Sequence, residues 1–498
     1  MDADTDRQGR WRLEWFALGA MLLLAVGQSQ FVDPDVWHEM SLIRESLAQG
    51  ALATEDTFAY TPTVSPIIHH EWGTGAVLYA LTTTLGSAGL LLLKLLLTTG
   101  IVAGCMRAWR RRSTPFPCIL ALAPLGLFLS LYGFSTVRAQ MFSLCFTVWL
   151  LVALESDRRG GRGWILPVLL MFVVWVNVHG GFVVGLLLFG LHALEQAVRR
   201  RPVRHLVAAW FAMALLTLVN PYGLDYLPFI WNAVRLDRPA IPEWLPVWRA
   251  SPVNVAMFVM SLVVLLYALA RTGPGSMPGL LLVLAGAYAG MSHQRHLSLY
   301  AVLWTCAAPG YLQGTPLGLA LAAFCERRRR LVRGTAAALG LTCLVAAILN
   351  RPWEVTIPAN PGDHPKITYP VGAVEHLAAV GFRGNLMVPF AAGAYVSWKL
   401  GPEVQVSVDG RYEVAYPPRD VQAIIDCYAG EPGWRELLQK DPTDAVLVPT
   451  RAPLADELPL VDEWTRNYRD DAFEIYLRTG LDFPSADRRG QVLAGRFP

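Results

Sequence analysis

Long apolar runs broken by short polar connections dominate the first 350 residues. Runs close to the ~17–25 residues that cross a bilayer lie at 13–31, 88–109, 115–132, 138–154, 163–178, 181–197, 204–219, 253–271, 277–291, 297–314 and 331–349. One further apolar stretch, 73–85, is shorter and ends at Gly86-Ser87-Ala88-Gly89. The pattern therefore predicts eleven spanning helices and one interfacial or re-entrant helix. After Asn350 the long runs cease. Helices are expected at 371–380, 393–400, 420–428 and 433–439, and strands at 385–390, 404–408, 445–449 and 473–477. Strands alternating with helices predict a small α/β domain with a mainly parallel sheet. The expected domains are 1–350, a transmembrane domain with an acidic loop at 32–72, and 351–498, an α/β domain.

Arginine placement sets the topology. Clusters stand at Arg7/Arg10/Arg12, Arg107/Arg110–Arg112, Arg158/Arg159/Arg162, Arg199–Arg201/Arg204, Arg271 and Arg327–Arg330. Basic residues favour the cytoplasmic side. With 73–85 left out of the spans, every cluster falls inside; counted as a span, it would put Arg107–Arg112 and those after it outside. The N-terminus is then cytoplasmic and the C-terminal domain extracytoplasmic. The basic N-terminal stretch meets no small-x-small cleavage site, so an uncleaved anchor is expected.

Composition agrees. The chain is 54% hydrophobic and 16% charged with a net charge of +3, and its mean hydropathy is +0.37. These values mark a polytopic membrane protein. Seven cysteines include no CxxC pair and imply no disulfide framework. No Walker, dinucleotide-glycine, GxSxG or metal-finger pattern occurs, so neither a nucleotide nor nucleic acid is supported as substrate.

The candidate chemistry lies on the outer side. The stretch from Phe31 to Trp72 gathers Asp33, Asp35, His38, Glu39, Glu55, Asp56, His69, His70 and Glu71. Acids and imidazoles beside a membrane need water, a partner or a substrate. Pro34 holds Asp33-Pro34-Asp35 extended, and Val36, Met40, Ile43 and Leu47 give the residues that follow an amphipathic, interfacial helix. An N-cap accounts for one aspartate and leaves the other. His69-His70-Glu71-Trp72 could bind a metal, hold a sugar or orient a base; interface anchoring by Trp72 is the structural alternative. Arg138 and Arg295 stand on the side the charge rule disfavours, Arg295 between His293 and His296. Guanidinium suits phosphate oxygens, whereas snorkelling to head groups would also place it there. His179, in Asn177-Val-His179-Gly180-Gly181, interrupts two apolar runs and is either a site residue or part of a tight turn. Asp409-Gly410-Arg411 closes a strand, facing substrate or forming a turn held by an ion pair.

Taken together, these features resemble the GT-C superfamily, the polyprenyl-phosphate-sugar-dependent glycosyltransferases that include protein O-mannosyltransferases, aminoarabinose transferases and oligosaccharyltransferases. More closely, DPDVWHEMSLIRESLAQG, TEDTFAYT and HHEW resemble a bacterial membrane family with a D-x-D-x-W-W-H motif, then a Gly, an Asp-Ser/Thr/Phe-Tyr segment and His-Glu-Trp. VRAQMFSL, NVHGGFVVGL, NPYGLDYL, HQRHLSL, SVDGRYEVAYP and GEPGWRELL look like that family's blocks. Here one aromatic, Trp37, precedes His38. The Lys-Pro-Pro segment of the mannosyl and aminoarabinose enzymes is absent, and HHEW stands near its place. The resemblance implies a GT-C-like fold and an inverting transfer of sugar from a polyprenyl-phosphate donor to a glycan, lipid or protein acceptor of the envelope. It makes Asp35 or Asp33 the catalytic carboxylate, and Arg138 and Arg295 the donor-phosphate ligands. His293, His296, His70, Glu71, Trp37, His38 and His179 complete the expected substrate surface. Membrane lipid is the expected partner, the inner (plasma) membrane the expected location, and a divalent cation the one cofactor left open. A transporter or flippase of an anionic lipid or solute, or a non-catalytic envelope-assembly protein, are the rival classes.

Overall fold

The computed structural model describes residues 11–28, 30–236, 238 and 241–498; Arg7 and Arg10 of the basic N-terminal cluster lie outside them. The chain is mainly helical and forms two compact units. One is Met1–Gln30, Leu91–Gly223 and Leu236–Glu354; the other is Phe31–Leu90, Leu224–Arg235 and Val355–Pro498.

In the first unit, apolar composition and length select the helices. Ser87–Arg111, Phe116–Phe134, Gln140–Arg158, Pro252–Thr272 and Arg329–Leu349 are long and apolar enough to cross a membrane, and Ile165–Val178, Phe182–Val198, Arg204–Leu216 and Leu280–Ser292 are shorter apolar helices. The first expected run forms Arg12–Gly27 and that at 297–314 forms Leu297–Leu312. Arg12–Gly27 packs along Arg329–Leu349. Its approach requires Gly340, where a Cβ would stand 2.7 Å from the Phe16 ring. The core includes Leu125, Phe258, Tyr300 and Trp304. Ser261 satisfies its two polar rings, with Tyr300 Oη at 2.8 Å from the Ser261 hydroxyl and Trp304 Nε1 donating to the Ser261 carbonyl at 3.1 Å. Lys94, a charge within an apolar run, donates to the carbonyls of Val26 at 2.8 Å and Ser135 at 2.9 Å and to Gln30 Oε1 at 3.2 Å.

Several arginines counted by the charge rule are paired in buried networks. Arg158 reaches Glu155 at 3.0 Å and Glu195 at 3.5 Å, and Arg112 reaches Glu155 at 3.4 Å. Asp157 joins His192 at 3.0 Å and His205 at 2.7 Å.

The second unit is built on a six-stranded sheet in the order β2-β1-β3-β5-β4-β6. The strands are β1 Gly384–Met387, β2 Val404–Val406, β3 Ala445–Pro449, β4 Trp464–Arg469, β5 Phe473–Arg478 and β6 Ala486–Asp487. The pairs β1–β2, β1–β3 and β4–β6 are parallel, and β3–β5 and β4–β5 antiparallel. The sheet is therefore mixed, because the hairpin β4–β5, short enough to need no crossover helix, is inserted beside the parallel half. Strands β4 and β6 were not expected from the sequence pattern.

The acidic loop belongs to this second unit. The Pro34–Gln49 helix packs against Trp72–Leu85 and against Gly393–Leu400. Gly75 permits the first contact, since a Cβ there would meet the Glu39 carbonyl at 2.8 Å. Gly50 caps the helix with φ 73°, donating to the Ser46 carbonyl. Arg44 donates to the carbonyls of Trp398 at 2.8 Å and Ser397 at 3.0 Å, where a helix C-terminus favours a cation. Further along, Phe58–Tyr60 extends the sheet beside β2: Val406 N–H donates to Phe58 O at 2.8 Å and Tyr60 N–H to Val406 O at 3.1 Å.

Candidate active site

In the second unit, Asp33 and Asp35 part company. Asp33 is buried and caps the Pro34–Gln49 helix, its Oδ1 accepting from the Asp35 N–H at 3.2 Å. Pro34 follows in the first turn, where its missing N–H costs nothing. Asp35 is half-buried. The loop Asp409-Gly410-Arg411 lies against it: a Cβ on Gly410 would be 3.6 Å from His38 Nδ1 and 3.9 Å from Asp35 Oδ1. A residue larger than alanine there would crowd Asp35.

His38 and Glu39 form a buried pair, Nε2 to Oε1 at 3.3 Å. Burial works against an imidazolium here, but the Glu39 carboxylate, with Asp35 and Asp409, outweighs it and pushes His38 up to about 9. Glu39 is pushed up by burial and by Glu71. His69 moves the other way, down to about 3, through burial and then the nearby charges of Arg411, His38 and His70. His70 Nε2 stands 3.4 Å from Glu71 Oε1, and its ring lies 5.2 Å from that of Phe229. Trp37, expected at the substrate surface, is fully buried. It packs edge-on against Tyr395 at 5.1 Å and Tyr369 at 6.0 Å and anchors the helix.

Arg411 is the guanidinium of this cluster. It grips Asp409 through Nε at 2.8 Å and Nη2 at 2.7 Å, and Nη2 also reaches Asp56 at 2.6 Å and Tyr416 Oη at 3.0 Å. Asp56 in turn accepts the N–H of Ala59 at 2.9 Å. The residues expected as a turn pair thus tie the acidic loop to the sheet. Among the described residues, no three His, Cys, Asp or Glu side chains are set to hold a metal ion; His38 and His70 each face a carboxylate.

The first unit carries the basic cluster. Arg138 Nη1 meets Glu243 Oε2 at 3.0 Å, and Arg295 Nη1 stands 3.8 Å from Glu243 Oε1. The Arg295 guanidinium covers the Trp244 ring at 4.6 Å and that of Arg238 at 4.2 Å. His293 and His296 meet the same ring edge-on at 5.3 Å and 6.0 Å. Burial, then Arg295, His293 and His179, hold His296 down at about 3, so it is neutral. His179 Nδ1 is 2.6 Å from the Ser143 hydroxyl and accepts the Gly181 N–H at 2.9 Å, which fixes the turn between Ile165–Val178 and Phe182–Val198.

The fold as a whole has solved counterparts. It is similar to the crystal structure of ArnT from Cupriavidus metallidurans in the apo state, with a TM-score of 0.54 at 13% identity, covering 93% of this chain and 97% of that one. Against the same enzyme bound to undecaprenyl phosphate the TM-score is 0.53 at 13% identity, over 95% and 98% of the two chains. The fold is GT-C-like. A cryo-EM structure of the arabinofuranosyltransferase AftD from Mycobacteria matches 95% of this chain at 15% identity and a TM-score of 0.50, and this chain spans 40% of its length. ArnT and AftD are both GT-C membrane glycosyltransferases. No protein-family model matches the chain, and comparison with curated proteins gives no match.

Sequence reasoning singled out the two arginines, the histidines around them and the acids of the loop. It did not single out Glu243, Trp244 and Arg238, which pack with these arginines. The available signal was an acid and a tryptophan in a stretch that also holds a basic residue. Asp56 was counted among the loop acids without a role, since its partner Arg411 is far along the chain.

Proposed function

We propose that the chain is a membrane glycosyltransferase that moves a sugar from a polyprenyl-phosphate donor to an acceptor of the cell envelope, with inversion. The observation that carries this reading is the half-buried Asp35 beside the His38–Glu39 pair and under the Asp409-Gly410-Arg411 loop, in a GT-C-like fold. The undecaprenyl phosphate bound to ArnT supports a polyprenyl phosphate as the lipid. The acceptor hydroxyl oxygen attacks the anomeric carbon. Its proton passes to Asp35, the bond from that carbon to the phosphate oxygen breaks, and a polyprenyl phosphate leaves. Arg138 and Arg295 bind the donor phosphate and stabilise the charge growing on the leaving oxygens. Asp33 holds the helix that presents Asp35.

The reading extends to topology: eleven spans, the N-terminus cytoplasmic and the C-terminal domain extracytoplasmic, in the inner (plasma) membrane. A divalent cation is the one cofactor left open, and transfer measured with and without a chelator tests it.

The test is transfer by protein purified and reconstituted in lipid, offered a panel of radiolabelled polyprenyl-phosphate sugars and an extract of envelope acceptors. Label moved by the wild type and lost in Asp35→Asn is the expected result. Well-folded protein that transfers nothing and binds no lipid donor would return the choice to a transporter or an assembly protein.

A further inference from the structure

We propose that Glu243 is an exchangeable counter-ion: it occupies the Arg138–Arg295 cradle until a prenyl phosphate headgroup displaces it. The inference rests on the donor-site reading above and adds to it a competitor built into the protein.

The geometry argues for exchange in three ways. First, the backbones that carry these side chains are tied together. Gln140 Nε2 donates to the Arg295 carbonyl at 2.8 Å, Gln294 N–H to the Leu245 carbonyl at 3.0 Å, and Tyr132 Oη to Gln294 Oε1 at 2.8 Å. A swap of ligand therefore needs only side-chain rotation. Second, Glu243 fits the cradle unevenly. Its contact to Arg138 is of hydrogen-bond length, whereas that to Arg295, at 3.8 Å, is not. A carboxylate presents its two oxygens in one plane, whereas the tetrahedral oxygens of a phosphate can address guanidiniums that lie in different planes. Third, all three side chains are 24% exposed, so an incoming headgroup has access to them.

Charge gives the exchange a direction. A donor phosphodiester carries one negative charge. The phosphate monoester left after transfer carries about −1.5 to −2, so it holds the arginines more tightly than the donor does. Glu243, returning to Arg138, opposes that retention and favours release.

The experiment measures binding of farnesyl phosphate to the full chain in detergent, with farnesol and inorganic phosphate in parallel. Wild type is compared with Glu243→Gln, Glu243→Ser and the double variant Arg138→Gln/Arg295→Gln. Two different replacements of Glu243 guard against a folding defect in either. Removing a partly exposed competitor should tighten farnesyl phosphate binding about five- to tenfold in both Glu243 variants, leave farnesol unchanged and steepen the salt dependence of binding. Binding lost in the arginine pair but unchanged or weaker in both Glu243 variants would overturn the exchange and spare the donor site. Binding retained by the arginine pair would overturn both readings. Tightening for inorganic phosphate alone would overturn the lipid headgroup as the occupant.

Discussion

Replacing Asp35 by Asn should cut transfer about a hundredfold or more, the usual share of a positioned base, with only a small loss of thermal stability through His38. Asp33→Ala should do the reverse. It removes a helix cap and costs about 0.5–2 kcal/mol in denaturation experiments, while Asp33→Asn, itself a good cap, should cost little. Two buried histidines of the loop, His38 and His69, give opposite pH responses. His38 is raised from 6.5 to about 9, so the folded protein binds its proton more tightly than the unfolded chain does. Its stabilisation is complete below 6.5 and is lost as pH climbs to about 9. Glu39, also raised, adds a loss in the same direction from its ordinary carboxyl range upward. His69, lowered to about 3, is stabilising above 6.5 and loses that as pH falls. Melting followed by tryptophan fluorescence should therefore decline on the alkaline side in wild type, with that limb flattened in His38→Asn and the acid limb flattened in His69→Asn. An unchanged alkaline limb in His38→Asn would remove the imidazolium from the account.

Two small features hold the loop as an element. Gly75 lets the Pro34–Gln49 helix approach Trp72–Leu85 to backbone contact. Gly75→Ala should thus cost about 1–3 kcal/mol by overpacking and lower activity by displacing Asp35. Arg411 is the clamp. Arg411→Met would leave Asp409 and Asp56 buried without their cation, a loss of about 3–5 kcal/mol, and limited proteolysis between residues 50 and 70 should report the released loop. The helices and most strands were legible in the chain because each depends on local periodicity: Val36, Met40, Ile43 and Leu47 show one face of one helix. The acidic and basic clusters were legible as residue types, since charge is conspicuous in an apolar chain. What stayed hidden needed distant partners. Nothing near Asp56 announces Arg411, and nothing near Arg138 announces Glu243. Strand β4, with polar residues at Thr465, Arg466 and Asn467, lacks the apolar alternation that marks a half-buried strand; its place comes from pairing with β5.

At the scale of the whole molecule, topology is open to a direct test. The seven native cysteines are free, and all but Cys145 are buried, so a thiol added at an exposed site should label above a low background. Ser485→Cys should react with a membrane-impermeant reagent in intact cells or spheroplasts, and Gly163→Cys only after the membrane is opened; the reverse pattern would invert the proposed orientation. The second compact unit raises a different matter, that of time. Its pieces come from three separated parts of the chain, and the ribosome delivers them in order. The segment with Asp35 and Asp56 emerges early, while Arg411 follows only after nearly all of the apolar helices. At ~5–20 residues per second, that interval is on the order of half a minute. Throughout it, the carboxylates lack the guanidinium that will hold them, and the sheet beside which Phe58–Tyr60 will pair does not yet exist. Competence thus arrives late in synthesis, and an interrupted chain, however well inserted, remains inert.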